Sequence, residues 1–498
     1  MKTTIVQFNP QTANIEDNCE KITEFISKFL DSDLIIFPEL SITGINCNDY
    51  FLEKDFINRQ YNAIDTIVEH SSGKSVLIGI AERQGQKLYS SVLFISEGKE
   101  KIVCRKKILS KNEKKYFTDG YGSSDINCRG KLLTVTLDKT KECKSDILVN
   151  LSAENFQTDN FHRRQAKRSF AEIRVNPVCL SGSYIYDGRS YFSDKQGNKI
   201  LVASSFEETA LTFDEDDEYE YVEEPEINIY DEVINALTFA LKDFCRKIGF
   251  KKIVLGLSGG IDSALTAALA VKAVGKENVL GITMPSEFSS SGSVDDSIAL
   301  AENLGIECKT IPIKSMFDCF VSDVQKERFY DLAEENLQSR LRALILMNYS
   351  NRHNALLLST GNKSEVATGY CTLYGDTCGG FNLLSDIYKT DVYKISERIN
   401  KDGEIIPRST MTKPPSAELR PDQKDTDSLP DYPVLDKVIR LYFEQKLSVE
   451  DIEYLCPDAP VRQIVKTVLR AEFKRKQMTS GVKLSEYSFV SDIDYPVI

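Results

Sequence analysis

The stretch IVLGLSGGIDSALTAALA, residues 253–270, sets a glycine-rich turn between an apolar strand and the first residues of a helix. Unhindered backbone N–H groups at Gly259 and Gly260, with the positive end of that helix, make a cradle for a phosphate or pyrophosphate. Asp262, in the first helical turn, is a carboxylate suited to holding a divalent cation beside such an anion. No lysine follows the second glycine where a Walker A loop requires one, so the cradle is of another type.

The elements around the loop predict how it is positioned. From Ile227 onward strands and helices alternate: the helix DEVINALTFALKDFCRKIG, the strand KKIVLGLS, the helix DSALTAALAVKAVG, the strand NVLGITMP, the helix SVDDSIALAENLG and the strand CKTIPI. This is the pattern of a doubly wound parallel sheet, which places ligands beyond the carboxyl ends of its strands. The first 213 residues also read as α/β, with TTIVQF, DLIIFPEL and SVLIGIAER separated by amphipathic helices. Paired strands follow at SSVLFISEG and EKIVCRKKIL, then LLTVTL, DILVNLS and NPVCLSGSYIY, as expected of a layered sheet sandwich. Between the halves, residues 214–226 read DEDDEYEYVEEPE, a run whose like charges resist compaction and which is expected to be a linker.

With 498 residues, 41% of them hydrophobic, the chain can bury more than one large core. A formal net charge of −13 offers no general attraction for nucleic acid or an anionic membrane. MKTTIVQFNP runs straight into a strand pattern with no secretory signal, and no apolar run reaches membrane-spanning length. The twelve cysteines are scattered singly and are expected as reduced thiols in a cytoplasmic protein. Cys371 and Cys378 lack the spacing of a common zinc site.

Ser258-Gly259-Gly260-Ile261-Asp262-Ser263 resembles the SGGxDS loop of the ATP pyrophosphatases, which cleave ATP between its α- and β-phosphates. LSTGNKSEVATGYCTLYGDTCGGFNLLSDIYKTDVY, TKPPSAELRPDQKDTDSLPDYPVLD, EENLQSRLRALILMNYS and AEFKRKQMTSGVKLS are each similar to segments of NAD synthetases, in the same order, and cover most of residues 227–498. The resemblance implies a Rossmann-like sheet of the ATP pyrophosphatase type and the amidation of deamido-NAD through an acyl adenylate. It implies that Gly256, Leu257, Ser258, Gly259, Gly260, Ile261, Asp262 and Ser263 hold the ATP phosphates. Thr360, Lys389 and Ser416 would also contact ATP, Asp262 and Glu365 would bind magnesium, and Asn336, Arg340 and Lys474 would hold the dinucleotide.

The first half resembles the nitrilase-like glutaminase domain that the glutamine-dependent NAD(+) synthetase family joins to its synthetase, an α-β-β-α sandwich. That superfamily uses a glutamate base, an oxyanion-stabilising lysine and a cysteine nucleophile. DLIIFPELSITG matches the glutamate segment with Glu39, and VCRKKIL the lysine segment with Lys106. At the third element LLTVTLDKT departs from the family: Thr136 stands where the cysteine belongs, Leu137 where a glutamate belongs, and Asp138 alone is kept. A threonine hydroxyl is far harder to ionise than a thiol, so glutamine hydrolysis is expected to be lost or slow. Cys128 and Cys143 lie on the wrong sides of the strand.

The expected partners are therefore deamido-NAD, ATP and either ammonia or glutamine, in a homo-oligomer by analogy with two-domain relatives. Two other readings remain open from sequence: a nitrilase-type amidase with a decayed ligase half, and a non-catalytic nucleotide-binding regulator.

Overall fold

A computed structural model describes residues 1–139, 143, 145–159, 170–217, 219–222 and 227–497. The chain forms two compact units, residues 1–156 with 160–226, and residues 157–159 with 227–498.

The first unit opens with β1 (Lys2–Gln7), α1 (Ile15–Lys28), β2 (Leu34–Ile36), α2 (Lys54–His70), β3 (Ser75–Gln84), β4 (Lys87–Ser96) and β5 (Lys99–Arg105). It continues through β6 (Ser124–Cys128), β7 (Lys131–Thr136), β8 (Ile147–Leu151), β9 (Glu172–Val175), the hairpin β10 (Val178–Ser181) and β11 (Tyr184–Asp187), β12 (Tyr191–Ser193), β13 (Lys199–Val202) and β14 (Thr209–Asp214). Two six-stranded sheets result, ordered β14-β1-β2-β3-β4-β5 and β13-β12-β9-β8-β7-β6. Ile5, Leu77 and Val92 of the first sheet join Leu133, Val149 and Ile173 of the second in one buried cluster, so the sheets pack face to face. The other face of the first sheet is covered by Ile22 and Ile26 of α1 and Ile64 and Ile67 of α2. Among the described residues helical cover lies on this sheet alone.

The acidic run begins inside the fold. Asp214 ends β14 and its carboxylate accepts a hydrogen bond from the Met1 ammonium at 2.9 Å. Residues 218 and 223–226 of the run lie outside the described residues.

In the second unit α3 (Ile229–Ile248) precedes β15 (Lys252–Gly256), α4 (Ile261–Val274), β16 (Val279–Thr283), α5 (Ser291–Leu304), β17 (Glu307–Thr310), α6 (Lys314–Phe320), α7 (Leu332–His353), β18 (Ala355–Ser359), α8 (Lys363–Thr368), β19 (Phe381–Asn382) and α9 (Lys389–Ile399). The five strands are parallel in the order β17-β16-β15-β18-β19. Strand order reverses at β15, and the crevice beyond its carboxyl end is where such sheets bind ligands. α4 buries ten of its fourteen residues, as its nearly all-apolar sequence requires. The segment 157–159 belongs here because Thr158 donates its N–H and Oγ–H to the Leu484 carbonyl at 2.8 and 3.1 Å, while Glu486 N–H reaches the Asp159 carboxylate at 3.0 Å. No helix of the described residues is long and apolar enough to cross a membrane.

Candidate active site

Beyond β15 the chain turns through Leu257–Gly260 into α4, and this turn forms one wall of a cavity of ≈ 320 Å³. Gly259 has φ +75°, and a Cβ there would stand 2.3 Å from the Ser293 carbonyl oxygen, so only glycine lets the turn pass under α5. Ser258 Oγ accepts the Gly260 N–H at 3.2 Å, and Ser263 Oγ donates to the Gly260 carbonyl at 2.9 Å, fixing the loop before any ligand arrives.

Of the residues singled out from sequence, Gly256, Leu257, Ser258, Gly260, Ile261, Asp262, Ser263, Thr360, Glu365, Lys389 and Ser416 all line this cavity. Gly259 is not among the lining residues; it faces α5 instead. Asp262 and Glu365 come together at Lys389, whose ammonium pairs with the Asp262 carboxylate and lies 3.8 Å from that of Glu365. Burial, and next the Asp262 charge, push the Glu365 carboxyl up to about 8, with Lys389 pulling the other way. Burial works to discharge Lys389, but Asp262 and Glu365 outweigh it and hold the ammonium above its ordinary value.

Asn362, unremarked in the sequence, ties these groups together. Its side chain donates to Asp262 at 3.0 Å, accepts the Glu365 N–H at 3.0 Å, and its own N–H is accepted by the Glu365 carboxylate at 3.2 Å. The last two bonds form a capping box on α8, a signal readable as Asn-x-x-Glu in GNKSE. Two carboxylates converging beside a phosphate cradle suit a magnesium ion, which takes one or two protein carboxylates plus phosphate and water oxygens.

The segment 413–419 runs along the cavity between two helices. Lys413 reaches Asp296 of α5 at 2.9 Å, Glu418 accepts the Ser290 and Ser293 hydroxyls at 2.8 Å each, and Gln338 of α7 donates to the Leu419 carbonyl at 2.8 Å. Ser416 Oγ accepts the Glu418 N–H at 3.1 Å.

Asn336, Arg340 and Lys474 are not among the lining residues. They converge instead on one loop beside the cavity: Asn336 accepts the Thr372 hydroxyl at 2.8 Å, Arg340 donates to the Leu373 carbonyl at 3.2 Å, and Lys474 donates to the Gly369 and Cys371 carbonyls at 2.8 and 2.7 Å. Asp376, an exposed residue on the same loop, accepts the Thr372 N–H at 2.6 Å, and desolvation of its carboxyl raises it to about 6.

In the first unit Glu39 is 1% exposed and its backbone presses against Gly79, where a Cβ would come within 2.4 Å of the Glu39 Cα. Lys106 donates to both Glu39 carboxylate oxygens at 3.0 and 2.9 Å and to Glu113 at 2.6 Å, and Ser90 Oγ donates to Glu39 at 2.6 Å. Burial raises the Glu39 carboxyl against the pull of Lys106. Burial opposes the Lys106 charge, yet Glu39 and then Glu113 keep it well above its ordinary value. Glu113, part-buried like Lys106, completes this trio.

Thr136 ends β7 with 1% exposure, and its Oγ accepts the Asp138 N–H at 3.0 Å. The Asp138 carboxylate in turn accepts the Lys107 and Ile108 N–H groups at 3.0 and 2.8 Å, so this turn is bound to the lysine segment. Cys104, whose thiol feels the Glu39 charge, is fully buried, donates to the Gly122 carbonyl and is pushed by burial up to about 12. Cys143 sits against Ser145. Residues 140–142 and 144 lie outside the described residues.

The carbon-nitrogen hydrolase family profile matches residues 2–219 and the NAD synthase profile residues 233–478. Over 560 aligned positions, spanning 99% of this chain and 98% of the relative, the sequence is 34% identical to the glutamine-dependent NAD(+) synthetase of Aquifex aeolicus. The chain belongs to that family.

A glutamine-dependent NAD+ synthetase from Acinetobacter baumannii, solved in complex with adenosine diphosphate, superimposes with a TM-score of 0.77 at 31% identity over 100% of this chain and 98% of the other. The Cytophaga hutchinsonii enzyme of the same name gives a TM-score of 0.85 at 19% identity over 100% and 97%, a likeness of fold. The Aquifex alignment occupies more positions than the chain has residues, so that relative carries segments absent here.

Proposed function

We propose that this protein amidates deamido-NAD to NAD at the expense of ATP, releasing AMP and pyrophosphate, and takes its nitrogen as free ammonia. The observation that carries the reading is the meeting of the glycine loop, Asp262, Glu365 and Lys389 at one cavity. A carboxylate is a poor electrophile until its oxygen becomes a leaving group, and transfer of AMP supplies one. The turn at Ser258–Ser263 and the amino end of α4 would hold the triphosphate, and Lys389 would meet the charge that builds on departing pyrophosphate. Thr360 and Ser416, both lining the cavity, would add hydroxyl donors. Magnesium, held by Asp262 and Glu365, would supply electrostatic stabilisation of the phosphate oxygens. Asn336, Arg340 and Lys474 would shape the loop that receives the dinucleotide.

Free ammonia is favoured as the nitrogen source by Thr136. Its hydroxyl is tied to its own turn and has no general base among its hydrogen-bond partners in the described residues, so it lacks the activation a hydroxyl nucleophile needs. The same feature speaks against a nitrilase-type amidase. Purified protein given deamido-NAD, ATP and magnesium is expected to form NAD with ammonium and far less with glutamine. Rapid glutamine-supported synthesis would overturn the nitrogen assignment. ATP binding without NAD formation under either condition would overturn the synthetase reading in favour of a regulator. We further expect at least a dimer in solution, measurable by sedimentation, and a reducing cytosolic setting in keeping with twelve cysteines scattered singly along the sequence.

A further inference from the structure

Three cations line the cavity: Arg342, Lys389 and Lys413. Two are answered by protein carboxylates, Lys389 by Asp262 and Glu365, and Lys413 by Asp296 at 2.9 Å. Arg342 is not. It projects from the middle of α7, and its one hydrogen bond among the described residues runs from Nε to the Met284 carbonyl at 3.0 Å. No described carboxylate forms an ion pair with it. The Glu418 charge acts on it from the neighbouring segment, but that carboxylate is engaged by Ser290 and Ser293. A guanidinium carries five N–H donors, and a single one is used here.

The surroundings say what would use the rest. Leu346, one helical turn along α7, and Met284 close over Gly256, where a Cβ would stand 3.4 Å from each of their side chains. Both side chains line the cavity and give it an apolar wall at Gly256, where the phosphate turn begins. Arg342 lines the same cavity as this apolar wall and the anion cradle, and is bonded to the Met284 backbone. Burial lowers its guanidinium to about 10, the mark of a cation short of a counter-charge.

We propose that Arg342 grips a phosphate oxygen of the bound nucleotide, with the Met284 carbonyl fixing the guanidinium plane and the Nη edge making the contact. The proposal rests on the nucleotide-binding reading above and adds a phosphate-binding residue to it. It differs from a structural role, in which Arg342 would act only through Met284 and the apolar wall.

The test uses full-length protein and two ligands, ATP and adenosine. In Arg342→Met, ATP affinity by calorimetry is expected to fall about tenfold or more, the loss of a charge-assisted hydrogen bond, while adenosine affinity is unchanged. Arg342→Lys is expected to recover part of the ATP affinity. Unchanged ATP binding overturns the proposal, and so does an equal loss for both ligands. Should Arg342→Met fail to fold, Arg342→Gln, which can keep a bond to the Met284 carbonyl, is read by the same criteria. Wild-type protein that binds ATP but makes no NAD would defeat the synthetase reading while leaving the Arg342 comparison intact.

Discussion

Replacing Asp376 by Asn gives a sharp check on the electrostatics of the cavity. Desolvation of this carboxyl, on a residue that is exposed as a whole, lifts it from 3.8 to about 6, and its strongest polar contact is the Thr372 N–H at 2.6 Å, which an amide oxygen can also accept. A raised acid value means that the folded state holds the proton more tightly than the unfolded chain. The group therefore costs nothing below about pH 4, and its ionisation opposes folding increasingly as pH climbs through 6. Taken whole the shift is worth about 3 kcal/mol, but the residue is exposed and solvent screening cuts the cost above that range to about 1 kcal/mol, with roughly half of it already present at pH 5. Asp376→Asn removes the ionisation. Urea unfolding of both proteins from about pH 5 to pH 8 should show the variant more stable, by a margin that widens with pH by about 0.5 kcal/mol. A margin that narrows with rising pH, or a variant less stable throughout, would show that Asp376 is held charged by a partner and that the burial argument is wrong.

Three further outcomes follow from the same geometry. Glu365→Gln keeps the capping oxygen of α8 but removes one of the two carboxylates, so it should fold normally and lose magnesium-dependent NAD formation; activity equal to wild type would remove Glu365 from the site. Gly259→Ala places a side chain on left-handed backbone, a cost of about 1–2 kcal/mol before the clash with Ser293, and should show a lower melting temperature and weakened ATP binding in calorimetry. Lys106→Met leaves Glu39 buried without its cation, a loss of about 3–5 kcal/mol of stability seen by scanning calorimetry, while ammonium-dependent synthesis by the folded protein should persist.

Much of this architecture could be read from residue order because local pattern and tertiary role agree. The run from KKIVLGLS to CKTIPI became β15, α4, β16, α5 and β17 with ends shifted by a few residues, since apolar strands and capped helices carry strong periodic signals. The short strands β6, β9, β12 and β13 went unread: a run of three to five residues seldom shows a period, and their pairing is decided by distant partners such as Tyr191 opposite Arg174. The same division applies to the site. Asp262 was legible from its glycine loop. Arg342, Asn362 and Glu113 were not, because nothing nearby in sequence announces that Met284, Asp262 and Lys106 lie within their reach.

The placement of Gln157–Asp159 has a practical bearing on gene design. An excised carboxyl-terminal fragment starting at residue 227 would leave the Leu484 carbonyl without its Thr158 donors and the Glu486 amide without Asp159. Next to these residues, Asp386 accepts the Leu484 and Ser485 N–H groups and pairs with the fully buried Lys363, three residues after Thr360. Such a fragment would start life with a loosened tail one step from the candidate site, and supplying the missing tripeptide as a tether would be the natural repair.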